Sequence, residues 1–309
     1  MEESITQPQV KYPIQPGALW SKTSQQTEFA RQCGALKSIE TEYHLIQQQD
    51  ISFVVRTLSN LARKEQASSK QRQQEHKTGK RIDPFLPYET DLFVGDLSDS
   101  HICLLNKFNV VDNHLLIVTR GFEAQTNRLN LADFTALASC FQEIDGLAFF
   151  NGGKTAGASQ SHKHLQLIPL PFLADVVNRP LESAIANTVF SNSLGKIDSF
   201  PFRHGIATLN LAANSSTQVV AETMLQKYHT LLDYVGFKVD FQHQQQPAAY
   251  NFLATKNWMM IVPRSRESFQ NISINSLGFA GSLFVRDRSS LELLKELTPL
   301  KLLTEVACI

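Results

Sequence analysis

The stretch from residue 147 to residue 169 constrains the fold more than any other part of this chain. Residues 147–151 form a short apolar run typical of a buried strand, and a glycine pair directly after it breaks the run into a loop. From His162 onward two histidines and a glutamine occupy alternate positions, and a strand points successive side chains to opposite faces. The sequence therefore predicts two strands joined by a small-residue loop, the second beginning at His162 and carrying His162, His164 and Gln166 on one face.

This polar row is typical of a site that attacks phosphorus. Imidazole has an unperturbed pKa of about 6.5, so at neutral pH most of it is uncharged and keeps a lone pair for nucleophilic attack. Two other interpretations are open for the bare pattern: an exposed polar face of a strand, or a zinc site, since imidazole is the commonest zinc ligand. No Cys, Asp or Glu lies within the motif to complete a tetrahedral set, which favours the nucleophile.

The loop before the row is suited to an anion. Residues 154–160 are mostly small or polar, and small side chains let backbone N–H groups approach phosphate oxygens closely. The Ser159 hydroxyl and the Gln160 amide add donors. An ordinary glycine-rich connection has the same composition, but the position next to the histidine row favours a phosphate cradle.

Together these motifs resemble the histidine-triad superfamily, in the branch where glutamine replaces the third histidine. That branch contains galactose-1-phosphate uridylyltransferase and the ATP adenylyltransferase (diadenosine tetraphosphate phosphorylase) family, and the second group is the closer match. Lys163 stands where the uridylyltransferases typically have proline, and the zinc-site cysteine pairs of some of them are missing here. Further stretches that carry the resemblance are 105–108, 113–119, 250–255, 258–264 and 276–281.

The resemblance implies an α+β, histidine-triad-like fold: two pseudo-repeated halves of antiparallel sheet with helices packed on it. We expect an N-terminal catalytic half at 1–185 and a C-terminal adenylyltransferase half at 195–309. The first half includes a mobile loop at 65–82, whose polar composition cannot bury apolar surface. The second half lacks the histidine row, and neither His204 nor His243 rebuilds it.

Local signals predict individual elements of this fold. Asn130 can cap a helix whose apolar positions recur at helical spacing, and a second amphipathic helix is expected at 216–235. Strands are expected at 115–119 and 258–262, with a hairpin turn at 255–257 before the second of them. Helix and strand signals therefore recur in similar order in both halves.

The resemblance also implies the chemistry. His164, the middle member of the row, would attack the α-phosphorus of a dinucleoside polyphosphate, releasing ATP and leaving AMP on the imidazole, after which inorganic phosphate yields ADP. His162 would support orientation. Gln166 can donate a hydrogen bond to a phosphate oxygen but cannot deliver a proton, which suits a polyphosphate that is already stable as an anion. The expected enzyme is a nucleotidyltransferase that phosphorolyses diadenosine tetraphosphate reversibly.

Substrate contacts follow from the loop and from the family's matching positions. Asn151, the loop and Gln166 would hold the α-phosphate and stabilise charge on its oxygens. Positions in the C-terminal half would line the far nucleotide, and the Arg264 guanidinium can pair bidentately with phosphate oxygens. The candidate binding residues are Lys64, Asn106, Lys107, Asn151, Gly157, Ala158, Ser159, Gln160, Gln166, Leu253, Thr255, Met260 and Arg264.

Charge and composition argue against several partners. The 309-residue chain carries 29 Lys and Arg against 29 Asp and Glu, so no overall field attracts nucleic acid. No apolar run reaches the roughly 18 residues that a membrane span needs, and the first residues lack a signal-peptide layout. The 4 cysteines have no metal or redox spacing. We expect a cytoplasmic monomer whose partners are nucleotides and inorganic phosphate.

A divalent cation, Mg²⁺ by preference, is expected to bind through the nucleotide polyphosphate, because no carboxylate cluster marks a metal site held by the protein. No organic cofactor is expected. Two alternative functions stay open: a hexose-1-phosphate uridylyltransferase-like enzyme with the same covalent His164, and a nucleotide-binding module that has lost turnover. The intact row argues against such a loss.

Overall fold

The computed structural model describes residues 12–58, 82–173, 179–212, 214–240 and 242–309. Lys64 and the predicted mobile loop, apart from Ile82, lie outside the described residues. The helices are α1 (Leu19–Gln32), α2 (Leu131–Glu143), α3 (Glu182–Ala186), α4 (Thr217–Tyr234), α5 (Ser276–Phe279), α6 (Arg288–Leu297) and α7 (Pro299–Val306). The strands are β1 (Thr41–Gln48), β2 (Ile51–Leu58), β3 (Phe93–Asp96), β4 (His101–Leu105), β5 (Leu115–Thr119), β6 (Gly146–Gly152), β7 (His164–Pro169), β8 (Leu194–Gly195), β9 (Gly205–Thr208), β10 (Tyr250–Ala254), β11 (Trp258–Pro263), β12 (Ser268–Phe269), β13 (Ile272–Ser273) and β14 (Ser282–Val285).

Both predicted helices form for the reasons that their sequences indicate. The Asn130 side chain accepts from the backbone N–H groups of Ala132 and Asp133, and the Asp133 carboxylate accepts from the Asn130 N–H, which completes a capping box at α2. The Ser216 hydroxyl accepts from the Val219 N–H at the start of α4. Both helices then bury their apolar faces in one hydrophobic cluster with the main sheet.

The main sheet has nine strands in the order β3-β4-β5-β7-β6-β10-β11-β9-β8, and each neighbouring pair is antiparallel. Two strand–helix–strand–strand units lie within it: β5-α2-β6-β7 and β9-α4-β10-β11. The first unit has the sheet order β5-β7-β6, and the second has the mirrored order β10-β11-β9. The two units meet where β6 pairs antiparallel with β10. The predicted α+β fold of two pseudo-repeated halves is therefore confirmed.

The repeat shows what occupies the second copy of the site. Strands β7 and β11 each contain 6 residues and end in proline, so Trp258 takes the position of His164 and Met260 that of Gln166. The second half thus lacks the reactive row, as predicted. The cross-strand partners agree with this match: Gln166 pairs with Leu116 and Phe149, and Met260 pairs with Ile206 and Leu253.

The two faces of β7 have different surroundings. Leu165 and Leu167 pack in the cluster that contains α2 and α4, and Lys163 points the same way to pair with Asp133 of α2. The opposite face lies between two other apolar clusters. One contains Phe85, and the other contains residues of β2, α5, α6 and α7. The polar row of β7 therefore occupies a gap between apolar clusters.

A separate three-stranded sheet, β1-β2-β14, covers the C-terminal part of that face. Strand β14 runs parallel to β2, which brings the end of the chain against an early hairpin. Within the described ranges, no helix combines the length and the apolar composition that crossing a membrane requires.

Candidate active site

His162 and His164 share a face, as the alternation predicts. Phe85 packs against both imidazole rings, with centroids 5.6 Å and 5.3 Å away. The regular strand begins two residues later than expected, at His164. Residues 161–163 instead form backbone hydrogen bonds with the segment at 119–125, and His162 forms an isolated bridge with Ala124 of that segment.

His164 is held in one tautomer. Its Nδ1 lies 2.8 Å from the carbonyl oxygen of His162, and because a carbonyl only accepts, Nδ1 carries the proton. Nε2 makes no hydrogen bond to another described residue and keeps its lone pair. Burial, reinforced by the neighbouring charge of His162, lowers the pKa of His164 to about 4. The ring is therefore neutral near pH 7 and nucleophilic at Nε2.

His162 has acceptors at both ring nitrogens. Nδ1 lies 2.8 Å from the Asp83 carboxylate, and Nε2 lies 2.8 Å from the Thr119 carbonyl and 3.1 Å from the Gly121 carbonyl. The Thr119 hydroxyl lies 2.9 Å from the same Nε2. These contacts fix the His162 ring, and its backbone carbonyl in turn orients His164.

Gln125 joins β6 and β7 where they separate. Its Oε1 accepts from the His164 N–H at 2.8 Å, and its Nε2 donates to the Asn151 carbonyl at 2.9 Å and to the His164 carbonyl at 3.3 Å. The side chain is only 3% exposed. This buried amide substitutes for ladder hydrogen bonds and ties His164 to the strand that leads into the predicted phosphate loop.

The predicted phosphate loop has unused donors. Gly157 adopts a φ of +89°, and a Cβ there would lie 2.8 Å from the carbonyl of Ile274, so the tight turn requires glycine. The Ala158 N–H closes this turn onto the start of the loop. Among the described residues, the backbone N–H groups of Ser159 and Gln160 have no acceptor. These donors are available to an oxyanion.

Asn151 lies at the end of β6, paired in register with Asn251 of β10. Its Oδ1 accepts from Asn251 Nδ2 at 2.9 Å and from the hydroxyl and N–H of Ser276 at 2.8 Å and 2.9 Å. These donors fix the orientation of the amide, and its Nδ2 makes no hydrogen bond within the described part of the chain. Asn151 therefore keeps the donor that a phosphate contact needs.

Arg264 has a different role from the predicted phosphate contact. It is 4% exposed, and its guanidinium donates to Asn251 Oδ1 at 2.6 Å and to carbonyls that include those of Ile274, Arg266 and Val306. These bonds and one to the Glu267 carbonyl use all of its N–H groups. Burial lowers the pKa of Arg264 to about 10, so it stays cationic. Arg264 supports the phosphate loop from behind.

Three further predicted contacts in the C-terminal half are occupied by contacts within the protein. Leu253 and Met260 are 0% exposed, because their cross-strand pairing turns both into an apolar cluster. The Thr255 hydroxyl accepts from the N–H groups of Asn257 and Trp258, which closes the predicted hairpin. Family positions gave the location of these residues in the sheet but not the elements that cover their side chains.

The remaining predicted contacts lie at the C-terminal end of the row. Gln166 Oε1 lies 3.0 Å from Nε2 of His114, and Asn106 contacts the other side of the same ring. Lys107 pairs with Glu89 at 2.6 Å at the surface. Sequence reasoning missed the functional contacts of Asp83, Phe85, His114, Thr119 and Gln125, although His114 and Thr119 lie within a stretch that carries the family resemblance.

Comparison with known proteins identifies the family of this chain. The Ap4A phosphorylase N-terminal domain family, Ap4A being diadenosine tetraphosphate, matches residues 9–187, and the ATP adenylyltransferase C-terminal domain family matches residues 198–308. The chain is 31% identical over 245 residues to diadenosine tetraphosphate phosphorylase 2 of Saccharomyces cerevisiae, an alignment that covers 70% of this chain and 73% of the relative.

Solved structures share the fold. A yeast Ap4A phosphorylase superposes with a TM-score of 0.75 at 24% identity, covering 95% of each chain. The same enzyme in complex with AMP gives 0.72 at 26% identity and covers 94% of this chain and 97% of that one. Fold and site together define a nucleotidyltransferase with a histidine-triad-like fold. The chain belongs to the Ap4A phosphorylase, or ATP adenylyltransferase, family.

Proposed function

We propose that this enzyme catalyses the reversible phosphorolysis of Ap4A by inorganic phosphate to ADP and ATP, through an AMP–His164 intermediate. The observation that carries the proposal is the neutral His164, protonated at Nδ1 and free at Nε2, next to a loop with unused N–H donors. The activity for which the yeast relative is named supports the same reaction.

In the first step, Nε2 of His164 forms a bond to the α-phosphorus, and the bond from that phosphorus to the bridging oxygen breaks. ATP leaves with the electron pair, so no acid is needed, and the N–H at Nδ1 continues to donate its hydrogen bond to the His162 carbonyl. In the second step an oxygen of inorganic phosphate attacks the same phosphorus, the N–P bond breaks, and ADP forms. The electron pair returns to Nε2.

Charge on the α-phosphoryl oxygens requires oriented donors. The N–H groups of Ser159 and Gln160, the Asn151 amide and the Gln166 amide supply them, and each well-placed donor contributes about 3 kcal/mol to the transition state. A divalent cation carried by the polyphosphate would neutralise the remaining phosphates. The enzyme would work in the cytoplasm as a monomer, and its 4 free cysteines fit a reducing compartment.

The test is to incubate the purified protein with Ap4A and Mg²⁺, with and without inorganic phosphate, and to separate the nucleotides. We expect ADP and ATP with phosphate, and without it one equivalent of ATP and an acid-labile AMP adduct on His164. H164A should abolish the adduct, whereas H243A, at a side chain that is 78% exposed, should not.

Other results would replace the proposal. AMP and ATP in steady turnover without phosphate would make water the acceptor. A uridylyl adduct formed only from a UDP-sugar would identify the uridylyltransferase alternative, and nucleotide binding without any adduct would identify a binding module.

A further inference from the structure

A chain of polar side chains stands behind Gln166. Asn106 Nδ2 lies 3.2 Å from Nδ1 of His114, and His114 Nε2 lies 3.0 Å from Gln166 Oε1. His114 is 5% exposed, and its ring packs 5.9 Å from that of Phe149, the cross-strand partner of Gln166. The chain therefore reaches the catalytic row from behind, through a ring that cannot turn freely.

One backbone group orients the amide at the start of this chain. The N–H of Phe108 can only donate, and it donates to Asn106 Oδ1 at 3.2 Å. Asn106 therefore presents its NH₂ group to His114, with Nδ2 lying 3.2 Å from Nδ1 and 3.5 Å from Nε2. With the nearer nitrogen, Nδ1, as the acceptor, Nε2 of His114 carries the proton. His114 therefore donates to Gln166 Oε1, which leaves the NH₂ group of Gln166 to face the site.

We propose that Asn106 and His114 are positioning residues that hold the Gln166 amide with its NH₂ group toward the α-phosphate. This rests on the function proposed above. An amide has nearly the same shape in its two orientations, but the reversed one would place a carbonyl oxygen against the phosphoryl oxygens. The chain excludes that orientation, because it would set the Gln166 NH₂ group against the N–H of His114.

The pseudo-repeat offers a comparison within the same molecule. The match that pairs Gln166 with Met260 also pairs His114 with His204, which precedes β9 as His114 precedes β5. His204 has the opposite tautomer: its Nδ1 donates to the Phe202 carbonyl, and its Nε2 accepts from a backbone N–H. The histidine with its proton on Nε2, His114, is therefore the one whose neighbouring strand carries an amide side chain, Gln166. The neighbouring strand of His204 carries Met260 at that position.

A double-mutant cycle separates positioning from a general structural role. We expect H114L to slow AMP–enzyme formation about 100-fold with KM changed less than about threefold, the loss typical of one transition-state donor. In a Q166A background the same substitution should change the rate less than about twofold, because His114 acts through Gln166. H114Q, which restores an N–H donor at the ring position, should recover most of the rate.

The opposite results would overturn the proposal. His114 does not act through the glutamine if the rate losses caused by H114L and Q166A multiply in the double variant. The same conclusion follows if H114L keeps the full rate while Q166A does not. Thermal unfolding of each variant shows whether rates refer to folded protein. If H114L does not fold, N106D decides, because its carboxylate would draw the proton to Nδ1, and an unchanged rate would contradict the chain.

A measurement without turnover keeps this inference separate from the proposed function. In ¹⁵N-detected NMR of the wild-type protein, we expect the proton of His114 on Nε2 and that of His164 on Nδ1. A proton on Nδ1 of His114 would refute the chain whatever the enzyme catalyses. If wild-type protein forms no ADP from Ap4A but shows the expected tautomers, the proposed reaction is wrong, and the inference that Asn106 and His114 orient the Gln166 amide is retained.

Discussion

Acid should not slow the first half-reaction until the pH falls well below the ordinary pKa of histidine. Burial lowers the pKa of His164 from 6.5 to about 4. At pH 5 an ordinary imidazole would keep only about 3% of its molecules neutral, whereas His164 would keep about 90%. We therefore expect AMP–enzyme formation to vary less than about twofold between pH 8 and pH 5, instead of falling about 30-fold.

The assay is a rapid-quench measurement of the ATP burst from Ap4A without inorganic phosphate. Ap4A has no terminal phosphate, so its charge is constant over this range, and omitting phosphate removes the titration of the acceptor. A rate that falls with a midpoint near pH 6.5 would show that His164 is solvated in the free enzyme, and the argument from burial would be refuted.

The folded fraction must be measured at each pH, because the same burial makes stability depend on pH. His164 and His204 both have a folded pKa of about 4, below the ordinary value of 6.5. The unfolded chain therefore takes up protons first, and stability present above pH 6.5 is lost as the pH falls toward 4. The loss is at most about 3 kcal/mol for each group. Urea unfolding at pH 8 and pH 5 measures it.

Three substitutions test the supporting residues. Q125A leaves buried backbone groups of His164 without a partner, so unfolding in urea should show a loss of about 1–3 kcal/mol, and the ATP burst should slow at least about tenfold. G157A forces a Cβ toward the Ile274 carbonyl at positive φ, so calorimetry should show AMP binding weakened at least about tenfold. R264L should lower stability by about 3–5 kcal/mol, with KM for Ap4A within about threefold at a temperature where it is folded. A large rise in KM at unchanged stability would instead restore Arg264 as a phosphate contact.

The sequence predicts best what depends on neighbouring residues. The cap at Asn130, the hairpin at 255–257 and the shared face of His162 and His164 follow from short-range rules, and all of them form. Gln125 could not be found in this way, because its three partners belong to two other strands whose separation is a property of the assembled sheet.

The residues assigned by family position show a second limit. A motif match places Arg264 correctly at the end of a strand. Its five N–H groups could bind either a phosphate or acceptors of the protein, and the motif does not distinguish the two. The structure shows that the acceptors belong to the protein. The carbonyls of Arg266, Glu267 and Ile274, which follow Arg264 closely in the sequence, converge on the guanidinium together with that of Val306, which is distant in the sequence. Leu253 likewise lies on the face of the row, but covering elements bury it.

The two halves divide the work across the β6–β10 seam. The first half contributes His164 and the loop at 153–160, and the second contributes Asn251, Arg264 and Ser276, which hold Asn151 and the Ala156 carbonyl in place. In the second half Trp258 and Met260 stand at the positions of His164 and Gln166, while the polar side chains of Asn251, Arg264 and Ser276 remain. The second half therefore supports the first. Its strands repeat the order of the first half and continue the sheet, and its polar side chains hold the loop of the first half rather than a substrate of their own.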